Sequence, residues 1–183
     1  MPRTSLALAI IAAVTFIALS ARALAADPDS AVVKQVQADV KLLRQGVFRV
    51  LTKSEIEQAL ALMHPKIIES VGGIEKAREN AASESRRQAT RLFTIEKVEF
   101  LQAPEFFSGK EHDFVFVPVA MTMSRADRTR NQSLTFYLGG RKKGDSEWKY
   151  VEAPKLIRDK GSTFFADFPD DKQYPPVFTR QLK

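Results

Sequence analysis

The chain has 183 residues, contains no cysteine and carries a formal net charge of +6. Without cysteine, disulfides, thiolate nucleophiles and cysteine metal sites are excluded, so the fold depends on buried apolar surface. The basic residues form small groups interrupted by acidic ones rather than one dense stripe, so we expect no nucleic-acid partner.

The first 25 residues have the pattern of an export signal. Arg3 precedes an apolar run, Leu6 to Leu19, and Ala23 to Ala25 offers the small residues that a signal peptidase needs. The alternative is an uncleaved anchor, but the 18 residues between Arg3 and Arg22 span about 27 Å as a helix, short of the roughly 30 Å hydrocarbon core. We therefore predict cleavage after Ala25, a periplasmic or secreted protein, and no stable membrane span after cleavage.

Helical periodicity begins the mature chain. Apolar residues at spacings of three and four predict a helix over 30–51. Thr52 and Ser54 can both cap a second helix, in which Ser54 to Glu57 (SEIE) has the pattern of a capping box. A further helix is predicted over 74–92, and the small side chains on its inner face suit close approach to a sheet.

His64 lies at the end of the second helix, directly before Pro65. Proline disfavours helical backbone at the preceding residue, so we expect His64 at a corner where its ring can hydrogen-bond free backbone groups. Pro65 suits the first turn of a short helix over 66–71, which Gly72 and Gly73 end. We favour this structural role for His64 and keep open a role in a pocket.

The pattern then changes to that of β-strands. Residues 93–100 alternate, and a change of apolar phase after Lys97 predicts a bulge. Residues 114–123 are apolar on both faces, which predicts a central strand covered on both sides. Pro118 cannot donate to a ladder, so it predicts an irregularity there. Two further strands are predicted, at 134–138 and 148–151.

The tail that follows is rich in phenylalanine and proline. Each buried phenylalanine ring contributes roughly 1.5–3 kcal/mol, so we expect the tail to pack on the sheet or on a partner. Helices followed by antiparallel strands are typical of an α+β domain. The predicted organisation is a signal peptide over 1–25, one domain over 26–153 and the tail over 154–183.

Short motifs are spread along the mature chain. They are MHP…GG after the second helix, VPV in the central strand, LGG at a strand end, GDSEWKYVEA, and FADFPDD…YPP in the tail. Together they resemble the nuclear-transport-factor-2-like superfamily, in particular its exported bacterial members, roughly from Val32 to Pro176. The resemblance implies a cone in which a curved antiparallel sheet holds the N-terminal helices in its concave face around an apolar pocket. It also implies frequent homodimerisation through the sheet.

The superfamily includes ketosteroid isomerase-like and scytalone dehydratase-like enzymes and many members without catalysis. Such enzymes need a pocket carboxylate, or histidines with an acid partner. No motif carries their catalytic residues onto this sequence, and we interpret His112 and Asp113 as turn residues before the central strand. The two histidines lie 48 positions apart, which is not a metal signature.

We therefore predict an exported domain without catalytic activity, metal or cofactor, which binds a small apolar ligand or an envelope protein. The candidate pocket residues are His64, Phe116, Tyr137 and Trp148, because apolar walls with a few polar groups are typical of ligand pockets. In the alternative interpretation, these aromatic residues fill the core. A second hypothesis is an isomerase- or dehydratase-type enzyme with His64 as acid–base and Tyr137 as proton donor, and a third is an envelope protein-interaction module.

Overall fold

The computed structural model of the chain describes residues 30–45, 50–87, 93–125 and 127–182. The predicted signal peptide, residues 1–25, lies outside these ranges. The described residues form an α+β fold, as predicted, with six helices and one antiparallel sheet of six strands. In chain order the elements are α1 (Ser30–Gln45), α2 (Lys53–Leu62), α3 (Pro65–Ser70), α4 (Ile74–Arg87), β1 (Phe93–Glu99), β2 (Glu105–Ser108), β3 (His112–Arg125), β4 (Arg130–Lys142), β5 (Lys149–Glu152), α5 (Ala153–Asp159), α6 (Gly161–Phe164) and β6 (Phe178–Leu182).

The described helices differ from the predicted ones at two points. The helix predicted to reach residue 51 is described over Ser30–Gln45, residues 46–49 lie outside the described ranges, and Val50 and Leu51 are not helical. The capping box of α2 starts at Thr52 rather than Ser54, because the Thr52 hydroxyl accepts from the Glu55 N–H (3.3 Å) while the Glu55 carboxylate accepts from the Thr52 N–H (2.9 Å). Thr52, one of the two predicted caps, therefore caps α2, and the box lies two residues before the predicted SEIE.

The two long strands β3 and β4 form the centre of the sheet. They pair without a shift from His112 opposite Lys142 to Ser124 opposite Arg130. On the outer side of β3, β2 pairs with residues 113–116 and β1 with residues 120–125. On the outer side of β4, β5 pairs with residues 137–140 and β6 with residues 130–134. Two short strands thus follow one another along each side of the β3–β4 hairpin.

The predicted bulge in β1 is confirmed, whereas the irregularity predicted at Pro118 is wrong. The register of β1 shifts between Ile95 and Lys97. Pro118 pairs in regular register with Phe136. It lies in the gap between β2 and β1, where β3 has no ladder on its outer side. A residue without an N–H is tolerated where one side of a strand is unpaired.

Both faces of the hairpin are covered, as predicted for the central strand. Successive residues point to opposite faces, so Phe116 and Val117 belong to different clusters. The α1 face contains Val36, Val40, Val115, Val117, Val119, Tyr137, Trp148 and Tyr150. The tail face contains Phe114, Phe116, Phe136, Leu138, Val151, Ala153, Leu156, Phe164, Phe165 and Phe168. A third cluster joins α2 to α4 through Ile56, Leu60 and Ala77.

The tail lies so close to the sheet that it leaves no room for a side chain at Gly140 within β4 or at Gly109 just after β2. A Cβ added at Gly140 would lie 2.4 Å from the Phe165 ring, and one at Gly109 would lie 2.5 Å from an Asp167 oxygen. The fourth tail phenylalanine behaves differently, because Phe178 lies in β6 and remains 45% exposed.

In the described part of the chain, no helix has both the length and the apolarity needed to cross a membrane.

Candidate functional site

The four candidate pocket residues do not surround one cavity. Phe116 is fully buried in the tail face, while Tyr137 and Trp148 lie in the α1 face on the other side of the sheet. His64 lies at the corner between α2 and α3. The three aromatic side chains therefore fill the core, which is the alternative that the sequence left open.

His64 is a structural joint whose ring nitrogens are both engaged by backbone. Its Nδ1 accepts from the Lys66 N–H (3.2 Å), which caps α3, and the backbone N–H of His64 donates to the Tyr150 carbonyl (3.0 Å). The ring packs edge-on against Phe165, with centroids 4.7 Å apart. Burial, and then the Lys66 charge, lower the pKa of His64 to about 4, although a hydrogen bond to the Phe164 carbonyl acts in the opposite sense. A neutral ring with both nitrogens engaged is poorly placed to transfer protons.

An apolar groove of about 450 Å³ lies between α2, α3 and α4. We call it the helical groove. Its apolar lining residues, all buried or half-buried, are Leu60, Met63, Ile67, Ile68, Val71, Ala77 and Ala81. Its polar lining residues are Asn80, Ser83, Glu84 and Arg87, of which only Ser83 is not exposed. The polar residues recur at spacings of three and four and therefore follow one line along α4.

The helical groove also corrects the role predicted for the small inner face of α4. That face was expected to approach the sheet, but Ala77 packs instead with Ile56 and Leu60 of α2. Small side chains at Ala77 and Ala81 leave the groove open, because larger ones would occupy the space between the helices. The sequence showed the small residues but not which element they face.

A second, polar cavity of about 320 Å³ contains both histidines in its lining. We call it the histidine cavity. The His112 ring reaches Asp167 of the tail, with 2.6 Å between Nδ1 and Oδ1. The other Asp167 oxygen accepts from the N–H groups of Glu111 (2.7 Å) and His112 (3.0 Å). The remaining lining residues are Pro65, Gly140, Arg141, Lys142, Asp145, Glu147, Lys149, Phe164, Phe165 and Ala166.

The contacts of Asp167 decide which nitrogen of His112 carries the proton. Burial would raise the pKa of Asp167, but the hydrogen bonds from Glu111 and His112 outweigh it and lower that pKa. An ionised carboxylate only accepts hydrogen bonds, so Nδ1 of His112 must donate. In the neutral ring Nε2 is then an unprotonated acceptor, and no described residue bonds to it.

The interpretation of His112 and Asp113 as turn residues is wrong. They are the first two residues of β3, and His112 pairs with Lys142 of β4. Its partner Asp167 lies 55 positions further along the chain, in a segment that the sequence assigned only to an aromatic tail. No spacing rule joins two such positions. The described residues contain no group of three or more acidic or histidine side chains able to hold a metal ion.

No protein-family model, curated protein or solved structure matches this chain. The resemblance to the nuclear-transport-factor-2-like superfamily therefore stays a prediction.

Proposed function

We propose that the chain is an exported binding domain that holds one small amphipathic molecule in the helical groove. The observation that carries this proposal is a concave, mostly apolar surface of about 450 Å³ with polar residues along one helix. Ligand pockets typically have volumes of about 300–1,000 Å³, with apolar walls and a few polar groups that fix orientation.

The arrangement of the lining residues defines the ligand class. The apolar side chains of α2 and α3, including Leu60, Met63 and Ile68, suit a single hydrocarbon chain or ring system. Asn80 on α4 supplies a hydrogen-bonding amide for a polar end group, and Arg87 supplies a positive charge that is partly balanced by the Glu84 carboxylate of the same lining, 3.9 Å away. A monocarboxylic amphiphile such as a fatty acid meets both requirements.

We also propose the cone of the nuclear-transport-factor-2-like superfamily for this domain. The packing of α1 on one face of an antiparallel sheet and the bulge in β1 support it, because bulges bend strands. The tail covers the other face around Phe114 and Phe116 within one chain. The tail covers only part of that face, so the dimer implied by the resemblance stays a prediction.

Two mass measurements test export and binding. We expect the chain from the periplasm to begin at Ala26, and an intact mass that retains residues 1–25 would contradict cleavage. Native mass spectrometry of residues 26–183, purified without denaturation, should show one reproducible added mass of a few hundred daltons. Co-purification of a protein in place of a small molecule would instead support the interaction module.

A fluorescent fatty acid, cis-parinaric acid, provides the direct test of the groove. We expect saturable binding by the mature chain and at least a tenfold weaker affinity for Ala81→Phe, whose ring occupies the groove. Ile157→Phe is the matched control, because Ile157 is 59% exposed on α5 and lines no part of the groove. If folded Ala81→Phe binds as tightly as the unaltered protein, the groove is not the site.

A further inference from the structure

We propose that the histidine cavity is a hydrolytic site for small uncharged esters, in which His112 is the general base that activates water. This site is separate from the helical groove, since the lining residues of the two cavities do not overlap. Either proposal can therefore fail without the other.

His112 has the arrangement that a histidine base requires. Its Nδ1 donates to Asp167, which is itself fixed by two backbone N–H groups, so the ring has one orientation and one tautomer. The same contact between a histidine and a buried carboxylate directs the histidine of serine hydrolases. Nε2 is left as a proton acceptor in a side chain that is 17% exposed and lines the cavity.

Lys142 supplies positive charge beside this base. It lies directly opposite His112 in the antiparallel pair, and both residues line the cavity. Directly opposed residues have Cβ atoms about 4.5–5.5 Å apart. Among the described residues, none forms an ion pair with Lys142, so its ammonium group is available to a negative charge that develops next to His112.

The lining also indicates the nucleophile and the substrate. The described residues that line the cavity include no serine, threonine or cysteine, so water must be the attacking group. The lining carries the cations Arg141, Lys142 and Lys149 and the anions Asp145 and Glu147. Lys149 is held by Glu147 and by the Ala61 carbonyl, and Arg141 lies 3.5 Å from Asp113, so these charges are largely balanced. A small uncharged ester fits a cavity of about 320 Å³ with this charge distribution.

The reaction conserves atoms and charge without a further reactant. Water gives a proton to Nε2 of His112 as its oxygen bonds to the ester carbonyl carbon, and Lys142 stabilises the resulting oxyanion. The intermediate then expels the alkoxide, which takes the proton from Nε2. The products are one carboxylic acid and one alcohol, and His112 returns to its neutral form.

Hydrolysis of p-nitrophenyl acetate by the mature chain tests this proposal. We expect saturable, multiple-turnover release of p-nitrophenol without a stable acetyl adduct in the mass spectrum. His112→Gln should reduce kcat about a hundredfold or more, the range expected for loss of a general base. Lys142→Gln should reduce it about tenfold or more, and Ile157→Ala, at an exposed residue of α5 that does not line the cavity, should retain it.

Asp167 is a positioning residue in this scheme, and its variant separates catalysis from stability. We expect Asp167→Asn to lower kcat with KM unchanged in protein that keeps its near-ultraviolet circular dichroism. Diethyl pyrocarbonate, which acylates free imidazole nitrogens, gives a second readout in the unaltered protein: it should modify His112 and spare His64. Wild-type turnover in folded His112→Gln, absence of turnover in the unaltered chain, or preferential acylation of His64 would each overturn the proposal.

Discussion

The two faces of the β3–β4 hairpin are covered in different ways. On the α1 face, Val115, Val117 and Val119 pack with Val36 and Val40 of a regular helix. On the tail face, phenylalanines of the strands pack against phenylalanines of an irregular segment. Phe114 and Phe165, for example, pack edge-on with ring centroids 5.4 Å apart. Short valine side chains fill the space between the regular helix α1 and the sheet. The irregular tail lies over the sheet less evenly, and large phenylalanine rings fill the space between them.

The polar contacts of the two faces differ as well. On the α1 face, the Tyr150 hydroxyl donates to Asp39 (2.9 Å), and the Arg44 guanidinium lies 5.0 Å from the centre of the Tyr137 ring. Burial raises the pKa of both Tyr137 and Tyr150, so neither hydroxyl ionises at neutral pH. On the tail face, the Asp167 carboxylate accepts from the His112 ring at one end, and Lys172 forms an ion pair with Glu105 of β2 further along the tail. The difference implies that aromatic packing holds the tail and that a few polar contacts position it.

The largest expected effect comes from deleting one ring on the tail face. Phe116 contacts the rings of Phe107, Phe136, Phe168 and Tyr174. Phe116→Ala should therefore lower the free energy of unfolding by about 3–5 kcal/mol. Urea denaturation followed by tryptophan fluorescence measures this change.

The neighbouring α1-face residue provides the matched variant. Val117→Ala removes fewer atoms from an equally buried position, so we expect a loss of about 1–3 kcal/mol. Equal losses for Phe116→Ala and Val117→Ala would mean that the rings of the tail face contribute no more than the valines.

Two adjacent glycines test the closeness of the covering elements. Gly140→Ala places a methyl group 2.4 Å from Phe165 of the tail, and Gly139→Ala places one 2.8 Å from Tyr150 and Val115 on the α1 face. Overpacking of this kind costs about 1–3 kcal/mol. We expect limited proteolysis to cut the tail faster in Gly140→Ala only, and equal cleavage of both variants would contradict a tail held by Phe165.

The free energy of unfolding should also depend on pH, through His64 at the joint beside the tail face. The pKa of His64 is about 4 in the folded chain and about 6.5 in the unfolded chain, so between these values the unfolded chain binds more protons. The contribution of His64 to stability is thus complete above about pH 6.5 and is lost as the pH falls towards 4. His64→Asn keeps a residue that caps helices but does not titrate.

Urea midpoints at neutral and mildly acidic pH measure this contribution. We expect the unaltered protein to lose more stability on acidification than His64→Asn, because only the former carries the neutral histidine. If both proteins lose the same amount, the hydrogen bonds of His64 do not depend on its neutral form.

The smallest effect is expected outside both covered faces. Phe178 is 45% exposed in β6, so Phe178→Ser should change the free energy of unfolding by no more than about 0.5–1 kcal/mol. A loss as large as that of Phe116→Ala, measured in the same urea titration, would show that Phe178 is buried in solution by a partner or by a second copy.

The structural features that depend on local patterns could be predicted from the sequence. Alternation identified β3 as a strand covered on both faces, and the proline rule identified His64 as a joint. The short strands β2 and β6 were not predicted, because four or five residues carry too little periodicity. The contact of His112 with Asp167 was not predicted either, because tail packing determines it and no local pattern records which tail residue reaches the sheet.

The residues that cover the tail face are synthesised after the strands they cover. Synthesis delivers a chain from its N-terminus, so Phe114 and Phe116 emerge well before Phe164, Phe165 and Phe168. Until those later residues arrive, one side of the hairpin is a bare aromatic surface, which invites aggregation and chaperone binding. A truncated copy would keep that surface exposed, so proteolytic quality control can distinguish incomplete chains from complete ones by the absence of the tail alone.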